Sequence, residues 1–366
     1  SVFEEDVPPY INSISAFEDG RMLVSGMFSA FEVYNPKNGG LYDLADRVYV
    51  NNIMVLRSNA HPDTTQQYIF EDAGTESNGT PIRYSFSKLN GGSLQPIVRS
   101  FVTSAQKIVA VGNLTQYVCN EYASSYVDSK QRISSVASAF RMDDCGVLDS
   151  TYRLVDRTGR YSGAGGGNIT DACMDKDDGV VLVGSFTSFD GVPAPGMVRL
   201  DADGNVDHAF LENLGTGPDG NVTMVRYNKA LNKMMVVGGF EHVNGQPRQQ
   251  MAMLNPDGTL DGTFVPREIG GGAVNFAQLI DKEKVIVSGT FSTYGGVPRL
   301  GFLILEMDGT AQQKFNVPGT FNGQLYHVAE TETTLGSYGL LLMGSFDRFN
   351  GQKANNVLIL EVNLEH

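Results

Sequence analysis

Tryptophan is absent from this sequence, cysteine is rare and no apolar run is long. No segment approaches the ~18 consecutive apolar residues that a membrane-spanning helix requires. The three cysteines, Cys119, Cys145 and Cys173, are odd in number and have no CxxC spacing. They therefore predict neither a disulfide framework nor a zinc site.

Positive charge is also scarce. The chain has 27 Lys and Arg against 41 Asp and Glu, a formal net charge of -14, and no basic stripe offsets this excess. Such a balance repels polyanions. The sequence therefore predicts no nucleic-acid partner and no anionic membrane surface as a partner.

Amphipathic helical periodicity is missing as well, because no long stretch carries apolar residues at i, i+3, i+4 and i+7. The sequence instead has 42 Gly, 20 Phe and 15 Tyr among only 19% charged residues. Short apolar runs end in Asp-Gly or Asn-Gly throughout. This composition is typical of many short strands joined by tight turns, so we expect an all-β fold.

A Gly-x-Phe pattern at the end of an apolar run recurs six times, with Leu replacing Phe once. The copies are Gly26-Met27-Phe28, Gly112-Asn113-Leu114, Gly184-Ser185-Phe186, Gly238-Gly239-Phe240, Gly289-Thr290-Phe291 and Gly344-Ser345-Phe346. A period of a few tens of residues indicates a stacked or circular repeat architecture.

Each copy reads as four short runs separated by three turn signals. In the third copy these runs begin near Ile169, at Val180, at Met197 and at Val206. Asp-Gly and Asn-Gly pairs favour type I′ turns, so neighbouring runs should form antiparallel hairpins. The second run is apolar on both faces, which is typical of a blade between two neighbours. The prediction is a six-bladed β-propeller of four-stranded antiparallel blades.

The first two copies carry 14 extra residues between their second and third strands. We place all blades in one domain, residues 1–363, with an unassigned insertion at 71–96 that includes an extra hairpin around Tyr84 to Ser93. The predicted blades span 11–70, 97–152, 168–210, 221–264, 273–315 and 324–360 plus 1–4.

The sixth copy stops after Leu360, before a fourth strand. Residues 1–4, around Phe3, are expected to supply that strand and so close the ring. The chain lacks a start methionine and a signal segment, which suggests a mature or excised fragment. Residues 364–366 resemble an expression-tag remnant.

The repeats resemble the bacterial delta-60 repeats, whose units contain an apolar strand, Gly-x-Phe, a Gly-x-Pro loop and Asp-Gly-x-Leu-Asp-x-x-Phe. The segment from Asn255 to Phe264 is the best match, and Gly191-Val192-Pro193, Gly245-Gln246-Pro247 and Gly296-Val297-Pro298 supply the loops. The resemblance implies a β-propeller of uncharacterised function, often in exported or cell-surface bacterial proteins, and it implies no catalytic residues.

No catalytic set, metal site or cofactor site emerges from the residues themselves. The histidines occupy different repeat positions and lack metal-ligand spacing. The acidic stretch from Asp201 to Asp207 superficially resembles a calcium loop, but related aspartates recur at the hairpins of several copies. We therefore interpret these aspartates as turn formers that accept hydrogen bonds from their own backbone.

The insertions of the first two copies and the connection from Tyr152 to Ile169 should share one rim. Tyrosine and arginine often dominate recognition surfaces, and they are frequent there. The candidate ligand-binding residues are Tyr34, Tyr42, Tyr117, Tyr122, Tyr126, Arg157, Arg160 and Tyr161. An equally weighted alternative is that these loops pack on one another and only cover the rim.

The leading functional hypothesis is a non-catalytic binding or scaffolding propeller of a bacterial exported or cell-surface protein. Its ligand would be a glycan, a peptide or a partner domain, and the protein would be monomeric or part of a longer chain. One alternative is a glycan-active lyase or hydrolase with a site built from loops at the channel mouth. A structural spacer in a surface protein is another.

Overall fold

The computed structural model describes residues 9–32, 47–69, 82–122, 130–156, 158–313, 315, 320–333 and 336–362. The chain divides into two compact units, unit 1 (Ser1–Ala164) and unit 2 (Gly165–His366). The segment around Phe3 that is expected to complete the sixth blade lies outside the described residues.

Unit 1 contains two three-stranded antiparallel sheets and three two-stranded hairpins among its described residues. Its strands are β1 (Tyr10–Ala16), β2 (Met22–Met27), β3 (Ala30–Glu32), β4 (Arg47–Tyr49), β5 (Ile53–Leu56), β6 (Thr64–Ile69), β7 (Ile82–Ser87), β8 (Arg99–Val102), β9 (Ile108–Val111), β10 (Gln116–Glu121), β11 (Lys130–Ser135) and β12 (Ala139–Met142). Sheet 1 is β1-β2-β5 and sheet 2 is β8-β9-β12, while the hairpins are β3–β4, β6–β7 and β10–β11.

Unit 2 contains four larger sheets and several short hairpins in its described part. Its elements, beginning at the boundary, are β13 (Ala164–Gly165), β14 (Ile169–Met174), β15 (Val180–Gly184), β16 (Ser188–Phe189), β17 (Val192–Pro193), β18 (Met197–Leu200), α1 (His208–Leu214), β19 (Val222–Asn228), β20 (Lys233–Gly238), β21 (His242–Val243), β22 (Gln246–Pro247), β23 (Met251–Leu254), β24 (Ile269–Gly270), β25 (Val274–Ile280), β26 (Lys284–Gly289), β27 (Thr293–Tyr294), β28 (Val297–Pro298), β29 (Phe302–Glu306), β30 (Phe321–Glu332), β31 (Tyr338–Phe349), β32 (Gln352–Lys353) and β33 (Val357–Glu361). Sheets 3, 4, 5 and 6 are β14-β15-β18, β19-β20-β23, β25-β26-β29 and β30-β31-β33.

The all-β prediction is confirmed, and each of the six sequence copies forms an antiparallel meander. The predicted fourth strand is largely absent from sheets 1 to 5, where the corresponding segment makes one isolated bridge to the third strand. These bridges are Leu56↔Pro62, Met142↔Leu148, Leu200↔Val206, Leu254↔Leu260 and Leu305↔Ala311.

The third copy departs furthest from the predicted fourth strand, because Phe210 lies in helix α1. Asp207 caps this helix by accepting a hydrogen bond from the Phe210 amide at 3.1 Å. An aspartate at this position satisfies an amide that the helix itself leaves unpaired. The repeat phenylalanine is still buried, with 1% of Phe210 exposed.

The 14-residue insertions of the first two copies form the hairpins β3–β4 and β10–β11. The unassigned insertion contributes β7, which pairs with β6 from Thr64↔Ser87 to Ile69↔Ile82. The hairpin expected around Tyr84 to Ser93 is therefore replaced by a single strand of the insertion, β7, whose partner β6 lies in the segment assigned to the first blade. Residues 71–81 of this insertion lie outside the described residues.

Two kinds of turn use the Gly-containing pairs. Asp190-Gly191, Asn244-Gly245, Gly295-Gly296 and Asn350-Gly351 have positive φ at both residues, as a type I′ hairpin requires. The Asp203-Gly204 turn differs, because only Gly204 has a positive φ. There Asp201 accepts hydrogen bonds from the Asp203 and Asn205 amides, so the prediction of a type I′ turn is wrong while that of a turn-forming aspartate is confirmed.

The repeat glycine faces a β-bulge on the first strand. The bulge leaves one residue of the first strand out of the register in sheets 1, 3, 4, 5 and 6. In sheet 3, Ile169 pairs with Gly184 and Asp171 with Val183, so Thr170 is the residue left out. A Cβ added to Gly184 would fall on the carbonyl oxygen of Asn168. The bulge thus explains why glycine recurs at this position.

The same glycine fixes the start of the third strand in all six sheets. Its backbone N–H donates a hydrogen bond to the backbone carbonyl of a residue with positive φ, at 3.0–3.1 Å. The pairs are Gly26 to Asn52, Gly112 to Ser138, Gly184 to Gly196, Gly238 to Gln250, Gly289 to Gly301 and Gly344 to Asn356. Sequence reasoning missed this left-handed position because four different residue types, Asn, Ser, Gly and Gln, occupy it in the six copies.

Polar side chains tie the first strands of neighbouring sheets together within each unit. Thr170 donates to the Val222 carbonyl at 2.8 Å, and Asn12 makes the equivalent bond to Ile97 at 3.1 Å. Asp171, which is 3% exposed, accepts from the Val225 amide at 3.1 Å. These bonds satisfy backbone groups at the first strands, each of which has a ladder partner on one side only.

An aspartate at the start of the predicted fourth strand pairs with a cation in several copies. The pairs are Arg57–Asp63, Arg141–Asp149, Arg199–Asp207 and Lys233–Asp261, at 3.1, 2.9, 2.7 and 2.7 Å. In sheet 3 the glycine Gly179 stands where sheet 4 has Lys233, and the guanidinium of Arg199 fills the space beside it. The cation can therefore come from either the second or the third strand.

Replacing Gly238 by alanine should destabilise the protein by about 2–4 kcal/mol, because the new Cβ would overlap the Asn221 carbonyl oxygen and the chain must shift. The neighbouring Gly239 is the matched control, since a Cβ there meets nothing within 4 Å. Urea unfolding of both variants measures the difference. Equal free energies of unfolding for Gly238→Ala and Gly239→Ala would contradict the bulge explanation.

Asp261 should stabilise the fold only while it is ionised. Burial opposes its ionisation, but hydrogen bonds from Lys233 and Thr263 outweigh burial and hold the pKa of Asp261 below its usual value. A lowered pKa makes the stabilisation present above about pH 4 and lost as the pH falls through the folded-state pKa. We expect Asp261→Asn to cost about 1–3 kcal/mol at pH 7.

The same variant should approach the parent protein in stability as the pH falls below about 4, because the parent then loses the stabilisation that its ionised carboxylate provides. Thermal unfolding of both proteins between pH 7 and pH 3 tests this. A stability gap that stays constant over this range would show that the ion pair is not the cause.

Candidate functional site

The predicted recognition residues fall into two classes. Tyr34, Tyr42, Tyr126 and Arg157 lie outside the described residues. The structure describes Tyr117, Tyr122, Arg160 and Tyr161, all of which belong to unit 1. Their environments differ.

Tyr117 belongs to the core of sheet 2 and its hairpin, with 4% of the residue exposed. Its ring packs edge-on against Phe140 at 5.1 Å between centroids, and its hydroxyl donates to the Gly146 carbonyl. Burial raises the pKa of the Tyr117 hydroxyl above its usual range. A role for Tyr117 as an exposed ligand contact is therefore not supported by its position.

Tyr122 joins an aromatic cluster that unites the three hairpins of unit 1. The cluster consists of Tyr49 at the end of β4, Tyr84 and Phe86 on β7, and Tyr122 just after β10. The Phe86 and Tyr122 rings meet edge-on with their centroids 4.5 Å apart. Tyr84 and Phe86 are buried, whereas Tyr49 and Tyr122 keep part of their surface accessible.

Two amide side chains, Asn120 and Gln131, lie beside Tyr122. Asn120 donates to the Tyr122 hydroxyl at 2.9 Å and accepts from exposed Gln131 at 3.2 Å. The Asn90 side chain fixes the Asn120 backbone through two hydrogen bonds of 2.8 and 3.0 Å. The Tyr122 ring is consequently held in place, which reduces the entropy that a contact to it would cost.

Arg160 and Tyr161 form a second group with Arg153. The guanidinium of Arg153 lies 4.8 Å from the Tyr161 ring centroid and that of Arg160 lies 5.0 Å from it. Arg153 and Tyr161 are buried and Arg160 is exposed. The Arg153 Nε donates to the Ala137 carbonyl at 2.6 Å, so this group holds the connection after sheet 2 in place. Only Arg160 offers an accessible charge here.

Sequence reasoning missed Phe86, Asn120 and Gln131. A signal existed for β7, where Tyr84 and Phe86 are two residues apart and so share one face of the strand. The amides had no such signal, because their partners are brought together only by pairing of Asn120 with Gln131 across the β10–β11 hairpin.

Two small clusters of titratable groups outside this surface contain a histidine or a cysteine. His242 Nδ1 lies 2.8 Å from the Asp219 carboxylate on an exposed turn, where the His242 backbone N–H and side chain lower the pKa of Asp219 to about 2. Asp143, Asp144 and Cys145 offer side-chain atoms within 4.8 Å of one another. Asp143 already accepts from the Cys145 and Val147 amides, and Asp144 pairs with Arg21 at 2.9 Å.

Burial and the neighbouring carboxylates raise the pKa of the Cys145 thiol. A raised pKa keeps the thiol protonated and weakens it both as a nucleophile and as a metal ligand.

Across the described ranges, no helix is long and apolar enough to cross a membrane.

Comparison with solved structures gives distant resemblances. The WD40 β-propeller domain of Doa1 aligns with 12% identity and a TM-score of 0.47 over 96% of this chain and 78% of that one. A Bacteroides caccae protein of unknown function aligns with 8% identity and a TM-score of 0.34 over 85% and 82%. The endo-arabinase of Bacteroides thetaiotaomicron aligns with 9% identity and a TM-score of 0.25 over 98% and 94%.

No curated protein matches this sequence significantly. Two stretches of the chain do match a protein family. Residues 176–210 and 232–264 match the family described as a domain of unknown function (DUF5122) beta-propeller. These segments run from the second strand of sheet 3 to Phe210 and from the second strand of sheet 4 to Phe264. The repeats of sheets 3 and 4 thus match the sequence pattern of this β-propeller family of unknown function.

Proposed function

We propose that this protein is a non-catalytic binding or scaffolding propeller whose recognition surface is formed by the insertion hairpins of unit 1. The observation that carries the proposal is the aromatic cluster of Tyr49, Tyr84, Phe86 and Tyr122, which joins three hairpins and leaves two tyrosine rings accessible. Rigid aromatic side chains on a fixed scaffold are common sources of binding energy.

The chemistry of this surface suits a neutral polar ligand. Tyr122 combines an accessible ring with a hydroxyl, and exposed Gln131 supplies amide groups beside it. A glycan, a peptide or a partner domain can each use such contacts. The resemblance to exported and cell-surface bacterial propellers supports an extracytoplasmic location for the protein.

We also infer that the whole chain is one six-bladed propeller closed by residues 1–4 on sheet 6. Sheet 6 supports this because Val357 and Ile359 are 55% and 52% exposed, whereas the equivalent Met251 and Met253 of sheet 4 are fully buried. At the other end, Ile14 of sheet 1 is 63% exposed while the equivalent Val225 of sheet 4 is buried. A closed ring would cover the face of sheet 6 that carries Val357 and Ile359 and the face of sheet 1 that carries Ile14.

The recognition surface is tested by replacing Tyr122 and Gln131 together with alanine. Wild-type protein is applied to printed arrays of polysaccharides and of peptides, and the best binder is titrated. Since an aromatic hot spot contributes about 2 kcal/mol or more, we expect the double variant to bind it at least about tenfold more weakly.

Tyr326→Ala is the matched control, because Tyr326 is 56% exposed but lies on sheet 6. Gln131→Ala alone provides a milder variant should Tyr122→Ala lower the unfolding temperature. Array binding that is insensitive to all changes at Tyr122 and Gln131, or the absence of any array binding, would refute the proposed surface.

Ring closure is tested by Ile359→Asp. If another apolar face covers Ile359, an aspartate there should destabilise the protein by about 2–4 kcal/mol, as expected for a buried unpaired charge. Val297→Asp is the control, since Val297 is 48% exposed on the short β27–β28 hairpin. Equal urea midpoints for the two variants would show that the face of sheet 6 is not covered.

A further inference from the structure

We propose that Asn350 is a site of spontaneous deamidation, and that the fold protects the other described Asn-Gly pairs from the same reaction. Asn-Gly is the dipeptide most open to this chemistry, because glycine has no side chain to hinder attack by its backbone nitrogen. The described pairs are Asn90-Gly91, Asn244-Gly245, Asn322-Gly323 and Asn350-Gly351. Two more, Asn38-Gly39 and Asn78-Gly79, lie outside the described residues.

The reaction requires a movement that folded structure can block. The Gly351 nitrogen, after losing its proton, attacks the side-chain Cγ of Asn350 and forms a five-membered succinimide, while ammonia leaves. Water then opens the ring at either carbonyl and gives aspartate or isoaspartate. The asparagine amide must therefore be free to rotate onto the following backbone nitrogen.

Asn350 has this freedom. It is exposed at the tip of the β31–β32 hairpin, which is held by only two residue pairs, Arg348↔Lys353 and Phe349↔Gln352. Its backbone N–H donates to the Thr320 carbonyl, but its side-chain amide has no hydrogen-bond partner among the described residues. A hairpin this short opens at low free-energy cost.

Asn244 occupies the equivalent turn of sheet 4 and is restrained. Its Oδ1 accepts from the Thr216 backbone N–H at 3.4 Å, and its amide packs so closely on Gly215 that a Cβ on that glycine would overlap it. Both turns are type I′, with φ of 49° at Asn244 and 50° at Asn350. The difference between the two sites is the tether on the side chain.

Asn322 provides an unusually close comparison, because the tetrapeptide Phe-Asn-Gly-Gln occurs at both 321–324 and 349–352. Asn322 lies within the ladder of β30 and β31, opposite Arg348. Strand residues pair on both sides of the Asn322-Gly323 peptide, where the register shifts by one residue at a bulge. The two sites therefore share their local sequence and differ in structure. Asn90 is the most firmly held, since both ends of its amide bond the Asn120 backbone.

The test is to incubate the native chain at mildly alkaline pH and 37 °C, where the glycine nitrogen is deprotonated more often, and to withdraw samples over time. Digestion at acidic pH followed by mass spectrometry locates the converted residues, and isoaspartyl methyltransferase labelling separates isoaspartate from aspartate. We expect Asn350 to convert at least about tenfold faster than Asn244, Asn322 or Asn90, as local opening differs widely across a fold.

A sample incubated in concentrated urea is the control. There the four sites should convert at similar rates, with Asn322 and Asn350 closest because their neighbours are identical. Conversion at Asn244, Asn322 or Asn90 as fast as at Asn350 in the native protein would overturn the proposal, as would an Asn350 that stays intact while the urea sample reacts.

Discussion

The hydrogen bond from the repeat glycine to the left-handed residue before the third strand is the constraint on which every sheet depends. It is present in all six sheets at 3.0–3.1 Å. On its other side, the glycine lies against the bulged first strand in five of them, so the three strands of the meander meet at one backbone position. A side chain there would force them apart, because the space is filled by a carbonyl group.

The first strands also join the sheets within a unit. Each first strand has a ladder partner on one side only, and polar side chains such as Thr170 and Asp171 bond backbone groups of the next first strand. Buried polar groups of this kind cost little when they are paired and much when they are not. The ion pairs of the repeat aspartates act at the other end of the sheets, where Arg199 substitutes for the lysine that sheet 3 lacks.

The candidate recognition surface uses the same scaffold differently. Sheets 3 to 6 have a short hairpin with a two-residue turn between their second and third strands. Sheets 1 and 2 have longer hairpins there, and the additional β6–β7 hairpin packs beside them. The aromatic cluster shows that these hairpins pack on one another, as the alternative interpretation of the loops expected. Packing and recognition are compatible here, because the buried Tyr84 and Phe86 hold the accessible Tyr49 and Tyr122.

The amino-acid sequence by itself determined the all-β class, the six copies, the type I′ turns such as Asp190-Gly191 and the place of the two 14-residue insertions. It could do so because strand periodicity and positive-φ turns depend on residues close together in the chain. Only the tertiary structure decided that Tyr117 is a core residue and that Tyr122 lies against Phe86, since their partners come from other strands. The left-handed residue was hidden for the same reason: its conformation is imposed by the glycine across the sheet, and asparagine, serine and glutamine all accept it.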